Sequence, residues 1–150
     1  MRKLILIAIF FSTACGGNKN ATFDSAKVNY ISNDRLESLT VSSSDFGVNN
    51  EEAIFMAKKL AFQNLFFRGI PNSPFNKPLL SINEQVEFKK HKDYLNSFYS
   101  SRMGAFITNT SASVSKIKGG QRRARVNMTI NMLALQKDLE EYQVTNKFGL

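Results

Sequence analysis

The chain has 150 residues, with 20 lysines and arginines against 12 aspartates and glutamates, and a formal net charge of +8. This length suits a single domain, and the basic excess favours anionic neighbours such as lipid head groups or an acidic protein. A single cysteine excludes an intramolecular disulfide, so the fold has to depend on an apolar core to which 13 phenylalanines can contribute.

Residues 1–14 have the composition of a secretory signal peptide. Arg2 and Lys3 precede an apolar run from Leu4 to Phe11, and three small residues follow it. Because a helix needs about 20 apolar residues to span a bilayer, this run is too short for a permanent transmembrane anchor. The sequence therefore predicts that the segment is cleaved from the mature protein.

The triplet Ser12-Thr13-Ala14 followed by Cys15 resembles the lipobox of bacterial lipoproteins, in which leucine is commoner at the position of Ser12. The resemblance implies a diacylglycerol on the Cys15 sulfur, cleavage before Cys15 and acylation of the new amine. Each buried CH₂ contributes about 0.8 kcal/mol, so several acyl chains on one residue attach a protein durably to a membrane. An ordinary signal peptide with a chance cysteine is the alternative.

Residues 15–37 show no sustained hydrophobic period, and we predict a flexible tether that carries a globular domain over 38–150. In the sorting rules of bacterial lipoproteins, an aspartate after the cysteine retains the protein at the inner membrane. By resemblance to those rules, Gly16 implies the outer membrane, with its periplasmic face favoured over the cell surface. Alternation of apolar and polar residues predicts a short strand over 38–45.

A helix is predicted over 50–67, because Asn49 stands three residues before Glu52 in a capping-box arrangement. Alanines recur every four residues along one side of it: Ala53, Ala57 and Ala61. All three prolines of the chain follow within 70–78, and since proline bars helix continuation, this stretch is predicted to be a rigid loop. Its Phe75 either packs under the fold or stands exposed.

The second half of the domain is predicted to form a helix, then a β-hairpin, then a last helix. A helix is predicted over 83–100 from its apolar face, a strand over 104–117, and a two-residue turn at Gly119-Gly120. The return strand has strict alternation. Its apolar side holds Ala124, Val126, Met128, Ile130 and Met132, and its polar side holds Arg123, Arg125, Asn127, Thr129 and Asn131. A last helix is predicted over 134–142.

The predicted order is therefore β-α-α-β-β-α. This order predicts a single α+β domain, with two to three helices packed on one face of a small, mainly antiparallel sheet. A sheet of three strands is near the minimum for independent stability, so the helices or a second copy of the chain have to cover its apolar face.

His91 is the only histidine, and Glu87 lies four residues before it on the predicted helix. Such a pair can orient an imidazole for acid–base chemistry or supply two metal ligands. A catalytic zinc takes three protein ligands, however, and the chain has no second histidine, so we predict a surface or packing role. The sequence predicts no catalytic residue, no metal site and no cofactor, and hence no enzyme.

Five cations flank the predicted turn: Lys116, Lys118, Arg122, Arg123 and Arg125. Pairing across the turn brings these charges close together, where like charges repel unless solvent or an anion screens them. The planar fork of arginine suits phosphate or carboxylate. We predict a docking patch for acidic lipid head groups or a protein partner, the alternative being a solvated edge that blocks unwanted strand pairing.

The stretch Glu52-Ala53-x₃-Ala57-x₃-Ala61, with a short strand before it and a hairpin after it, resembles a family of small envelope lipoprotein domains. These domains are related to the N-terminal domain of flagellar assembly protein T, and the likeness covers about residues 38–135. It implies a non-enzymatic scaffold or interaction module in an envelope assembly, with an envelope protein or a second copy as partner and no nucleic acid. The alternative is a lipoprotein that binds lipid or another small ligand.

Overall fold

A computed structural model describes residues 27–117 and 119–145. The elements in chain order are β1 Lys27–Asp34, β2 Ser38–Gly47, α1 Asn50–Phe67, α2 Glu84–Lys90, α3 Lys92–Ser97, β3 Ile107–Lys116, β4 Arg122–Asn131 and α4 Met132–Glu141. A π-helical turn, Phe98–Arg102, and a 3₁₀ turn, Met103–Phe106, connect α3 to β3.

The four strands form one sheet in the order β1-β2-β4-β3, and every neighbouring pair is antiparallel. The helices cover one face, where α1 packs across β2 and β4. This arrangement confirms the predicted α+β class. The alternation predicted for the return strand is also confirmed, because alternate residues of β4 are buried: Ala124, Val126, Met128 and Ile130.

β1 corrects the predicted tether. Residues 27–34 are not part of a linker but pair with residues 38–44 of β2, and residues 15–26 lie outside the described part of the chain. The alternation in β1 is hard to recognise because a register shift at Ile31 interrupts it. Because β1 is an edge strand, little of its side-chain surface is buried. Of its residues, Val28 and Tyr30 pack against the core.

α1 begins and ends where the sequence predicts. The Asn49 side-chain oxygen accepts a hydrogen bond from the Glu52 amide at 2.8 Å, and the Glu52 carboxylate accepts one from the Val48 amide at 2.7 Å. These two bonds satisfy amides that the helix itself leaves unpaired. The alanine series lies flat on the sheet and is fully buried, and small side chains at these positions allow the close approach.

The helix predicted over 83–100 is divided in the structure. α2 ends at Lys90, and α3 begins after His91, whose backbone leaves the helical region. α2 has no buried residue, whereas α3 buries Tyr94 and Leu95. The break therefore separates a solvated helix from one that packs in the core.

The core between the helices and the sheet is aromatic. Phe98 lies at its centre, with its ring 5.2 Å from Phe62, 5.1 Å from Phe66 and 5.5 Å from Phe106. The proline-rich loop closes one end of this core. Phe75 is buried and its carbonyl accepts a hydrogen bond from the Ile70 amide at 2.7 Å, so it packs under the fold.

The remaining boundaries differ from prediction by a few residues. β3 covers 107–116 of the predicted 104–117, because a 3₁₀ turn occupies its start. α4 begins at Met132, earlier than predicted, where the Asn131 side chain accepts a hydrogen bond from the Ala134 amide at 2.9 Å. Met132 is fully buried as the first residue of this helix.

Candidate anion-binding surface

The hairpin between β3 and β4 has a longer loop than predicted, and this changes which residues face one another. The Ile117 amide donates a hydrogen bond to the Gln121 carbonyl at 3.0 Å, and Gly119 and Gly120 have φ of +94° and +88°. A two-residue turn would place Lys116 opposite Arg123. The actual register places Lys116 opposite Arg122, and a shift of one residue exchanges the partners on both faces.

The sheet separates the predicted basic patch into two groups. Lys116 and Arg122 form a like-charged pair toward the helical face, while Arg123 and Arg125 point to the opposite side. Lys118 lies outside the described residues, as does Cys15. The four described cations of the predicted patch therefore do not form one cluster.

We call the face of the sheet opposite the helices the outer face. Its side chains come from the alternate positions of each strand and are mainly serine, threonine and asparagine. The row nearest the hairpin contains Phe46, Arg123 and Ser115, and the next row contains Lys27, Ser44, Arg125 and Ser113. Both outer-face arginines are thus flanked by serine hydroxyls from β3.

The two outer-face arginines and the β3 serines line a shallow depression of roughly 240 Å³. Arg123 is held in place there, because its Nε donates a hydrogen bond to the Ser44 hydroxyl at 3.0 Å. Arg125 is exposed. Two guanidinium groups beside hydroxyl donors can bind a phosphate or carboxylate through charge-assisted hydrogen bonds.

Negative charge is scarce around this depression. The four strands contain two carboxylates, Asp34 and Asp45. Asp34 pairs with Ser38 at the other end of the sheet, about 20 Å along β2 from Ser44. Asp45 belongs to the helical face, and its side chain accepts a hydrogen bond from the Phe46 amide at 2.8 Å. Within the described strands, the hairpin end of the outer face therefore has basic side chains and no carboxylate.

His91 and Glu87 lie side by side in the structure. The His91 Nε2 lies 3.5 Å from a Glu87 oxygen, with the two side chains 12% and 17% exposed, but the geometry is not that of a hydrogen bond. No group of three metal-ligating side chains occurs within residues 27–117 and 119–145. The pair packs at the junction of α2 and α3.

A polar network that the sequence does not reveal ties the π-helical turn to α4. Tyr94 donates a hydrogen bond to one Asp138 oxygen at 2.7 Å, and Arg102 pairs with the other. The guanidinium also lies over the Tyr142 ring, 4.3 Å from its centre. Tyr94 and Asp138 are 44 residues apart in the chain, so only the tertiary fold brings the members of this network together. Its role is to fix α4 against the core.

Burial raises the pKa of Tyr94, with its hydrogen bond to the Asp138 carboxylate adding to the effect, and burial likewise raises the pKa of Tyr99. The folded state therefore keeps these protons at a pH where the unfolded state, with a tyrosine pKa of about 10, releases them. The unfolding free energy is expected to be fully retained below about pH 9 and to fall as the pH rises beyond 10. Urea denaturation between pH 8 and 11 measures this slope, and a Tyr94→Phe/Tyr99→Phe variant should flatten it.

The same two tyrosines give a matched pair of substitutions at neutral pH. The Tyr99 hydroxyl is buried without a hydrogen-bond partner among the described residues, so Tyr99→Phe is expected to change the unfolding free energy by less than about 0.5 kcal/mol or to raise it. Tyr94→Phe removes a bond to a carboxylate and should cost about 1.5–3 kcal/mol. Equal costs in urea denaturation would contradict this distinction.

A second, apolar depression lies between α1 and the π-helical turn. It encloses roughly 380 Å³, and its apolar lining includes Ile54, Phe55, Tyr99 and Met103. Phe55 is 38% exposed there, although the other phenylalanines of α1 are buried. An apolar ligand in this groove can contact several apolar side chains.

Comparison of the chain with protein-family models, with curated proteins and with solved structures finds no match in any of the three. Among the helices of the described residues, none is both long enough and apolar enough to cross a membrane.

Proposed function

We propose that this protein is a lipid-anchored envelope lipoprotein that acts as a non-enzymatic scaffold or interaction module in a cell-envelope assembly. The lipobox-like triplet before Cys15 supports the anchor. The observation that carries the interaction role is the open edge of β3. Nine of the ten residues of this strand pair with β4 on one side, and no described strand pairs with them on the other.

After a register shift at Thr108, the rest of β3 lacks the devices that usually protect a sheet edge. From Thr108 to Ser115 it has no charged residue, no proline and no glycine, and nearly every side chain is exposed. A row of unpaired amides and carbonyls on such a strand is a template for another strand. Strand addition supplies backbone hydrogen bonds as well as side-chain pockets, and it needs no catalytic group.

The opposite edge of the sheet is different. β1 is shorter, begins with Lys27 and has its register shift in the middle, at Ile31, whereas the shift in β3 lies at its second residue, Thr108. Lysines and bulges at edge strands discourage pairing with other chains. The contrast between the two edges therefore favours β3 as the surface for an envelope protein or for a second copy.

We expect lysines on the β3 edge to weaken capture of a partner. In Thr110→Lys/Ala112→Lys, each new charge has to be desolvated when another strand is added, and we expect at least a fivefold loss of the captured protein. The measurement is quantitative mass spectrometry of material captured from solubilised native envelopes by the tagged full chain.

A matched control places two lysines on exposed helix positions, Gln85→Lys and Asn96→Lys. If this control loses as much partner as the edge variant, general charge rather than the β3 edge governs capture, and the proposal for the edge is wrong. A capture profile identical for wild type, control and edge variant has the same consequence.

The apolar groove beside Phe55 favours the second function, that of a lipoprotein that binds lipid or another small apolar ligand. Native mass spectrometry of the chain from Gly16 to Leu150 should then show a bound lipid. Phe55→Asp should remove this adduct without unfolding the protein, because the side chain it replaces is partly exposed. A wild-type spectrum without an adduct would argue against ligand binding.

A further inference from the structure

We propose that the hairpin end of the outer face docks on the anionic head groups of the membrane to which Cys15 attaches the chain. This inference rests on the proposed lipid anchor for its geometry. It assigns a lipid partner to Arg123 and Arg125, whereas the β3 edge remains available to protein. Three observations support it: where the chain enters the fold, how far Cys15 can lie from that point, and the sign of the local charge.

The described chain enters the fold within the basic rows. Lys27, the first residue of β1, lies in the same row of the outer face as Ser44, Arg125 and Ser113. Since neighbouring strands are about 4.8 Å apart, the backbones of Lys27 and Arg125 are separated by about 10 Å. The tether therefore leaves the domain beside the arginines and at the same end of the sheet.

The connection from this point to Cys15 is short. Lys27 comes 12 residues after Cys15, and a chain of that length spans at most about 42 Å. A domain of this size has a diameter of about 35 Å. The end of the domain that contains Lys27 can therefore come into contact with the head groups of the membrane that holds Cys15.

The charge of this end is complementary to an anionic surface. Lys27, Arg123 and Arg125 lie on it, and the outer-face carboxylate of the described strands, Asp34, is at the other end of the sheet. Each basic residue near such a surface increases partitioning by about fivefold at physiological ionic strength. The arginine forks beside serine hydroxyls also suit the phosphates of lipid head groups.

The test separates docking from anchoring by omitting the anchor. The chain from Gly16 to Leu150 contains every described element and the whole buried core, from Leu39 to Val144, and so retains the fold. We expect it to sediment with vesicles of 70% phosphatidylcholine and 30% phosphatidylglycerol. Binding should weaken by about 25-fold in Arg123→Ala/Arg125→Ala and weaken further as salt is raised from 0.1 to 0.5 M.

Two variants control for unfolding and for general charge. Arg125→Ala alone removes an exposed side chain, so the fold is expected to remain intact and binding to fall about fivefold. Lys89→Ala/Lys92→Ala removes two exposed lysines from α2 and α3, on the opposite side of the sheet, and should change binding by less than twofold. Equal losses in this control and in the double arginine variant would overturn the proposal.

Two other results would also overturn it. One is that the wild-type chain binds vesicles of pure phosphatidylcholine as strongly as it binds the vesicles that contain phosphatidylglycerol. The other is unchanged vesicle binding by the double arginine variant together with loss of a captured envelope protein, which would make the outer face a protein interface. Intact-mass analysis of the protein purified from its host tests the anchor separately. If Cys15 is unmodified in that protein, the proposed lipid anchor is wrong. The vesicle experiment uses the chain without the anchor, so its result is independent of this outcome.

Discussion

Phe98→Ala is expected to lower the unfolding free energy by about 3–5 kcal/mol. Phe98 is fully buried and contacts aromatic rings from α1, α3 and the segment before β3, with its ring 5.1 Å from Phe66 and 5.5 Å from Phe106. Because these rings belong to different elements, they cannot all move inward to fill the space that the substitution leaves. Urea denaturation followed by circular dichroism measures the change.

Phe55→Ala is the matched control for that substitution. Phe55 is also a phenylalanine and lies on α1, but it is 38% exposed at the margin of the apolar groove. We expect a cost below about 1.5 kcal/mol, since less apolar surface is lost and water can occupy the space. If the two substitutions lower the unfolding free energy by similar amounts, the buried aromatic cluster contributes no more to stability than a partly exposed phenylalanine does.

Gly69→Ala is expected to cost about 2–5 kcal/mol of unfolding free energy. Gly69 follows α1 with a φ of +78°, a region that is unfavourable for alanine. A Cβ at this position would lie 2.3 Å from the Asn76 carbonyl oxygen, which is backbone and cannot rotate away. The proline-rich loop would have to move from α1, and with it Phe75, which closes the end of the core.

Gly104→Ala provides the comparison, because it makes the same chemical change in a permissive environment. Gly104 lies in the 3₁₀ turn before β3, and no atom lies within 4 Å of the Cβ position. We expect the unfolding free energy to stay constant or to rise by about 0.5 kcal/mol, as alanine restricts the unfolded chain more than glycine does. A large cost at Gly104, or none at Gly69, would contradict the packing described for these segments.

Because the described basic residues of the hairpin lie on two faces of the sheet, they cannot all bind the same anion. Lys116 and Arg122 face each other toward the helical side, where their mutual repulsion favours solvent exposure. Arg123 and Arg125 share the outer face with serine hydroxyls. A surface phosphate is therefore expected to interact with this second pair, and substitutions at Arg122 should affect vesicle binding less than substitutions at Arg125.

Elements with a strong local signal are predictable from the sequence. α1 combines a cap at Asn49, alanines at helical spacing and a proline-rich stop, all within about 30 residues, and its bounds are correct. β4 is equally clear, since one face of it is buried and the other is polar over most of its length. In both cases the residues that decide the structure are neighbours in the chain.

The missed elements are those whose formation depends on distant residues. β1 has too little burial and too irregular an alternation to be recognised, and it exists because β2 supplies its hydrogen bonds. The break at His91 follows from the core that Tyr94 and Leu95 enter. The Arg102–Asp138 pair joins residues 36 positions apart, and nothing in the local sequence of either indicates the other.

The sequence alone determined the residue types available to this protein: a cysteine after small residues, an excess of cations around a glycine turn, and no second histidine or cysteine to build a metal site. It also determined the class of the fold, because hydrophobic periods are local properties. Only the tertiary structure decided which cations share a surface. That outcome depends on the hairpin register, and a slip of one residue in a strand moves every side chain to the opposite face.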